Sequence, residues 1–360
     1  VDPAVDTTLR IVAIGLAFGL TVFVHEAGHF IAARLARMAV YEFSIGVGRP
    51  LLFWFRPRDT QYSFRLWPFL SYVRIAGMEP EDEHPQGFGK RKRIVQAAVL
   101  LSGCMMNFLL AALVYMVMGA AMGLPVPTNR IESVMPGSAA ARAGLMPGDR
   151  VMGVGGRVGL SVEEIREVIQ SHPGRPLVFR VDRNGQVRRL TVTPSKETVY
   201  DVKGLVLVKV TIGRIGIGFG SRTERMGVGR SVLAGFVETF GAIRLQIAGW
   251  VGMAMRTIPP DLMGPVGIAQ VLYTESKANW LQFLSVSAML TVAIGFVNLL
   301  PIPALDGSRL LIVAIEAIRR KPFDKRKEAV VHLVGLALLL FLGAIIAYRD
   351  ILRVLRVRGG

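Results

Sequence analysis

The sequence predicts a polytopic α-helical membrane protein of about four spans, with membrane-associated β-hairpins and an inserted α+β domain. Of its 360 residues 52% are hydrophobic, and several apolar stretches approach the roughly 20 residues that a helix needs to cross about 30 Å of hydrocarbon. A more polar region of well over a hundred residues separates the second of these stretches from the third. Residues 41–78, between the first two, are rich in aromatic and β-branched side chains punctuated by Gly and Pro.

In chain order, the first span runs from about Leu9 to Leu35. It opens with Asp2 and Asp6, lacks a basic n-region and meets no small-residue cleavage site, so it reads as a membrane helix rather than a signal peptide. YEFSIGVG and YSFRLWPFLSYVRIAG follow as β-hairpins, which must dip into the interface or flank a cavity because open sheet edges cannot face lipid. The second span runs from about Ile94 to Gly119.

From Pro127 to Gly220, short runs such as LVFRV and RLTVTP alternate with the turn signals PGS, PGD and RNG. One helix, SVEEIREVIQ, interrupts them, with Ser161 at its N-cap and Glu164 completing a capping box. Residues 229–255 are apolar but carry Glu238, Arg244 and several glycines, and read as an amphipathic helix on the membrane surface, with a fifth span as the alternative. Spans three and four run from about Trp280 to Leu300 and from about Ala329 to Tyr348. The resulting divisions are 1–126, 127–220, 221–279 and 280–360.

The formal net charge of +17 marks loops and lipid contacts rather than a nucleic-acid site, because no basic helix stands apart from the membrane flanks. Arg34, Arg37, Arg49, Arg56, Arg58 and Lys90–Arg93 assign the first connection to the cytoplasm, and Arg319–Lys321 with Lys325–Lys327 assign the third. The α+β domain is then extracytoplasmic. The basic tail (Arg349, Arg353, Arg356, Arg358) also falls outside, against the rule. The single cysteine, Cys104, excludes internal disulfides and a cysteine-dominated metal site.

Ionisable residues within a span are costly enough to imply function, and the first span contains VFVHEAGH. At positions i and i+4 of a helix, His25 and His29 point at one cation while Glu26 lies about 100° round beside it. Neutral imidazoles ligate zinc, and the carboxylate takes a proton from water activated there. Fourteen residues separate Ile11 from His25, about 21 Å of helix, so the site lies some two-thirds of the way toward the cytoplasm.

A catalytic zinc needs a third protein ligand. His84 lies among acidic residues in a connection, His172 lies in the α+β domain before Pro173, and His332 stands alone in span four. Glu316, in LLIVAIEAI, competes, but nothing around it breaks the helix. NLLPIPALDG fits best, since Pro301 and Pro303 forbid continuous helix, and broken backbone at membrane depth lines protein or a watery cavity. Asp306 follows directly, either as a ligand or as a helix cap.

HEAGH and NLLPIPALDG together resemble the two signature motifs of the site-2 protease family of intramembrane zinc metalloproteases, in particular its bacterial sigma-E-regulating branch. FSIGVG is similar to the family's Gly-x-Gly membrane hairpin, SGCMMNF to its second-span motif, and LMGPVGIAQ to the segment before span three. IESVMPGSAAARAGLMPGDRVMGVGG resembles the core of a bacterial PDZ domain. The resemblance implies that His25, His29 and Asp306 bind zinc, that Glu26 is the general base and that Asn298 lies near the substrate backbone. Cys104 stands where the family has proline, Ser308-Arg309 where Gly-His is common, and one PDZ domain where two are frequent.

The implied partners are a single-span membrane protein cut within or beside its span, such as a pre-cleaved anti-sigma factor or a remnant signal peptide, together with lipids. The implied location is the bacterial inner membrane. A PDZ domain would filter substrates or take a peptide carboxyl terminus. Strand addition at the hairpins, around Phe43 and Ile45, would hold a substrate extended. Asn107 would orient substrate or contact a neighbouring helix. GRIGIGFG has no helix opening after it and is not a dinucleotide loop. A catalytically inactive PDZ-bearing scaffold is the alternative, opposed by the intact His25, Glu26, His29 and Asp306.

Overall fold

The computed structural model describes residues 3–55, 60–79, 81–203, 206–257 and 263–358; Arg56, Arg58 and Leu262 from the sequence motifs lie outside them. The chain forms two compact units, Val1–Met118 with Gly229–Gln246 and Pro260–Gly360, and Gly119–Val228 with Ile247–Pro259.

The first unit begins with α1 (Pro3–Leu35), which leads into β1 (Val40–Phe55) and β2 (Gln61–Ile75), then α2 (Arg93–Val117). Both strands are long and bent. Residues 42–45 of β1 pair with 71–74 on one side and with 61–64 on the other, while 62–65 pair onward with 50–55. The segments therefore lie in the order 71–75, 40–45, 61–65, 50–55, with 71–75 at one edge.

Side-chain alternation makes this sheet amphipathic. Phe43 and Tyr62 share one face, and Phe30 of α1 lies 5.0 Å from the Phe43 ring and 5.9 Å from that of Tyr62. Glu42, Ser63 and Arg65 share the other, where Glu42 Oε1 accepts from Ser63 Oγ at 2.6 Å and from Arg65 at 2.7 Å.

The second unit holds β3 (Leu124–Val134), α3 (Ala139–Arg142), β4 (Arg150–Val154), β5 (Arg157–Val158), α4 (Val162–Gln170), β6 (Leu177–Arg183), β7 (Gln186–Val192), β8 (Ser195–Lys203), β9 (Val206–Arg214) and β10 (Ile217–Glu224). Its main sheet has the order β10-β3-β4-β6-β7, with β5 on β4 and β8-β9 a separate hairpin. Ile131, Ile165, Phe179 and Val181 form a closed core. The Ser161 capping box forms as the sequence predicts. The unit extends beyond 127–220 at both ends because Glu224 pairs with Leu124.

The chain continues through α5 (Val228–Ala254), α6 (Pro265–Ala278), α7 (Trp280–Asn298), α8 (Asp306–Arg319) and α9 (Lys325–Arg358). Five helices among the described residues are long and apolar enough to cross a membrane, one more than the four spans read from the sequence. The addition is α5, which its glycines do not break. Gly235 seats the helix against α2, where a Cβ would come within 2.5 Å of the Ala112 carbonyl oxygen.

In the second unit Asp149 is almost fully buried, and Arg183 donates to both its oxygens at 2.7 and 2.8 Å while the Met146 N–H adds a third bond. Arg183 thereby holds the Asp149 carboxyl below the usual carboxylate range. The unfolded chain protonates near pH 3.9 and the folded one only at lower pH. The pair's stabilisation is thus present above that value and lost as acid titrates the folded carboxyl. Arg183→Met leaves a buried carboxylate without its cation and is expected to cost this unit about 3 kcal/mol. Denaturant unfolding of the full chain at pH 7 and pH 3 checks this: the deficit should be large at the first pH and shrink at the second.

Candidate metal centre

One turn of α1 separates His25 from His29, and their rings meet edge-on with centroids 4.8 Å apart. Both rings are buried, each residue 6% exposed. They lie against α2, which approaches so closely that neither helix tolerates a side chain at the contact. A Cβ on Gly28 would lie 2.4 Å from the Ser102 carbonyl oxygen, and one on Gly103 would lie 2.4 Å from His29 Nε2 and 2.8 Å from His25 Cε1. Gly103 is therefore the floor on which both imidazoles rest.

The third donor arrives from the other end of the chain. α7 stops at Asn298 because Pro301 and Pro303 cannot continue it, and Ala304 takes a left-handed conformation (φ 75°) that turns the chain. Asp306 then opens α8, and its Oδ2 lies 2.9 Å from His25 Nε2 and 3.0 Å from His29 Nε2. The two Nε2 atoms are 3.2 Å apart. Among the described residues this is the one cluster of three His, Cys, Asp or Glu close enough to hold a metal ion, with all donor atoms within 4.8 Å of one another.

The donor chemistry fits zinc. His29 Nδ1 donates to the Val99 carbonyl oxygen at 2.8 Å, so in the neutral ring Nε2 carries only a lone pair. That lone pair faces a carboxylate oxygen and a second ring nitrogen, an arrangement a shared cation satisfies. Glu26 stands beside the triad, its Oε2 accepting the Val73 N–H at 3.0 Å from the free edge of β2. Glu26, His29 and Asp306 open onto a cavity of about 530 Å³, walled by Tyr72 and Val73 of β2 and by α9.

Several residues from the sequence screen belong elsewhere. Glu316 pairs with Arg93 at 2.7 Å and accepts the Phe323 N–H at 2.7 Å, so it is committed away from the triad. His172 Nδ1 is bonded to the Val168 carbonyl, and His84 Nδ1 accepts the Gln86 N–H. Asn298 ends α7, partly buried and outside the cavity wall. Phe43 is buried under α1, and Ile45 is on a strand paired on both sides, so neither is at an edge. The free edge beside Glu26 is 71–75 instead.

Sequence reasoning did not find Gly103, Val73 or His332 as contributors. Gly103 carried a signal, since it lies one turn before Asn107 in SGCMMNF. His332 Nδ1 accepts the Ala304 N–H at 3.0 Å and so braces the turn before Asp306, a contact between residues 28 apart that no local pattern announces.

A His-Glu-x-x-His helix completed by a distant aspartate, inside a set of apolar helices, defines a membrane zinc metalloprotease. Residues 13–342 match the profile of Peptidase family M50. The chain is 31% identical to the zinc metalloprotease RasP of Geobacillus kaustophilus over 427 aligned positions, covering 96% of this chain and 99% of that one. It is 28% identical to the zinc metalloprotease RasP of Oceanobacillus iheyensis, covering 95% and 99%. The chain belongs to Peptidase family M50, the site-2 protease family. It is a zinc-dependent metalloendopeptidase and a membrane protein.

Zinc content of the purified full chain tests the assignment of ligands. Asp306→Ala and Gly103→Ala should each lower zinc affinity at least tenfold, on the order of losses seen when a ligand or its support is disturbed. Glu316→Ala should retain wild-type zinc. Retention by Asp306→Ala with loss in Glu316→Ala would reverse the assignment.

Proposed function

We propose that the enzyme hydrolyses a peptide bond within or beside the span of a single-span membrane protein, with His25, His29 and Asp306 holding zinc and Glu26 acting as general base. The observation that carries this reading is the Glu26 carboxylate, bonded to a free strand edge and adjacent to the His–His–Asp triad. Zinc held there supplies Lewis acidity and lowers the pKa of a water. Glu26 would take that water's proton as its oxygen bonds to the scissile carbonyl carbon, and would pass the proton to the amine as the C–N bond breaks. The Val73 N–H fixes the carboxylate's direction before substrate arrives.

A helical span hides its peptide bonds, so the substrate must be drawn out as a strand before attack. Strand addition along 71–75 does this, rather than along Phe43 and Ile45, whose backbone groups are already paired on both sides. Alternation from Val73 turns the Ser71 and Ile75 backbone toward the same side.

Contacts at the helix ends support four crossings in the inner membrane, with the basic connections cytoplasmic. Lys325 Nζ donates to the Gly77 carbonyl, which puts the α8–α9 connection on the side of the first one. At the other end, Asp350 Oδ2 accepts from the Gly264 and Gly267 N–H groups at 3.0 and 2.8 Å, and Arg10 donates to the Ser276 carbonyl. Both ends of α6 thus lie on the outer side. With both ends of α6 on the outer side, four crossings leave α5 along the membrane surface.

In the second unit, edge strand β10 begins at the left-handed Gly216, beside a cavity of about 350 Å³ lined by Ser138, Arg142 and Ile215. Those features support capture of a peptide carboxyl terminus on the extracytoplasmic face.

Cleavage of a tagged single-span substrate tests the reading. Glu26→Gln should lower turnover by roughly 10²–10⁴-fold with zinc retained, and equal cutting by both proteins would falsify it. Ser71→Pro removes one edge donor and should slow cleavage roughly two- to tenfold, the worth of one net hydrogen bond, without zinc loss.

A further inference from the structure

Val99, Gly103 and Asn107 recur every four residues on α2 and so lie along one face, the face on which the two imidazoles rest. Val99 orients His29 through its carbonyl, and Gly103 makes room for both rings. Asn107 is fully buried, with Nδ2 3.5 Å from His25 Nδ1. Its Oδ1 is buried with no hydrogen-bond partner.

A buried amide oxygen without a partner is costly, so an explanation is required. His25 Nε2 points at His29 Nε2 and at Asp306, and a cation bound there takes its lone pair. The ring proton then resides on Nδ1, which becomes a donor in need of an acceptor. Exchanging the two ends of the Asn107 amide, a half-turn about its terminal bond, puts Oδ1 against that donor and moves Nδ2 to the place Oδ1 leaves.

We propose that Asn107 is a positioning residue for His25: its carboxamide oxygen accepts the Nδ1 proton and so fixes Nε2 as the metal-binding nitrogen. The pair matches His29 with Val99, and α2 thereby sets the tautomer and ring orientation of both histidines. A substrate contact does not fit this residue, which is 0% exposed, is absent from the cavity wall and packs toward Gly295 of α7. The proposal rests on the reading of His25, His29 and Asp306 as zinc ligands.

Its test is zinc affinity, measured by chelator competition on the purified full chain, with the melting temperature of the metal-free protein as the control for folding. Asn107→Leu keeps the volume and removes the acceptor, and should weaken zinc about 10–100-fold. Asn107→Asp keeps an acceptor and should bind zinc within a few-fold of wild type. Asn107→Ala is the second acceptor-free variant should leucine prevent folding. Wild-type affinity in a folded acceptor-free variant overturns the proposal, as does an equal loss in Asn107→Asp. A raised KM with zinc affinity unchanged assigns Asn107 to substrate instead and also overturns it. His25→Ala in the same assay separates the two readings: if it too binds zinc normally, the ligand assignment fails.

Discussion

Two imidazoles and two carboxylates inside a helical bundle need hydrogen-bond partners that hydrocarbon cannot supply, and the contact of α1 with α2 brings those partners within reach. Gly28 and Gly103 let the helix backbones approach until the rings of His25 and His29 lie directly on α2. At that distance the Val99 carbonyl and the Asn107 side chain reach the far nitrogens of both rings. The near nitrogens are left pointing together at one spot. A larger residue at either glycine would separate the helices and undo this arrangement, although neither glycine offers a ligand.

The remaining parts of the site are held from two directions. The turn after α7 delivers Asp306, and its shape depends on two prolines, on the left-handed Ala304 and on the brace from His332 of α9. The bent sheet brings its free edge to Glu26, so one backbone N–H touches the proposed general base itself. The three donor residues, Glu26 and the strand edge thus come from α1, α8 and β2, elements scattered over most of the chain. A cavity bordered by both the edge strand and α9 is their common meeting place.

Much of this was legible from local pattern. The i, i+4 spacing in HEAGH names two ligands and a base because helix periodicity alone puts them together, and the double proline before Asp306 marks broken backbone without any knowledge of the fold. The capping box at Ser161 is equally local. The hairpins at 41–78 were visible as strands, yet which strand is the edge was not. Phe43 and Ile45 have the residue types of an edge, but the bends in β1 and β2 give their segment a partner on each side. α5 shows the opposite difficulty: its glycines read as interruptions until Gly235 is seen packed on α2.

The sequence by itself singled out the candidate residues: a histidine pair at i and i+4, a glutamate beside it, and an aspartate freed by prolines. Those depend on residue type and short spacing, which a chain carries along its length. The tertiary structure brings Asp306, which the sequence already favoured over Glu316, onto the histidines, and it alone decided that residues 71–75 form the edge and that Val99, Gly103 and Asn107 stand behind the rings. Each is a contact between segments far apart in the chain, where backbone atoms and the absence of a side chain matter as much as any functional group. Such partners become definite only when the helices have packed.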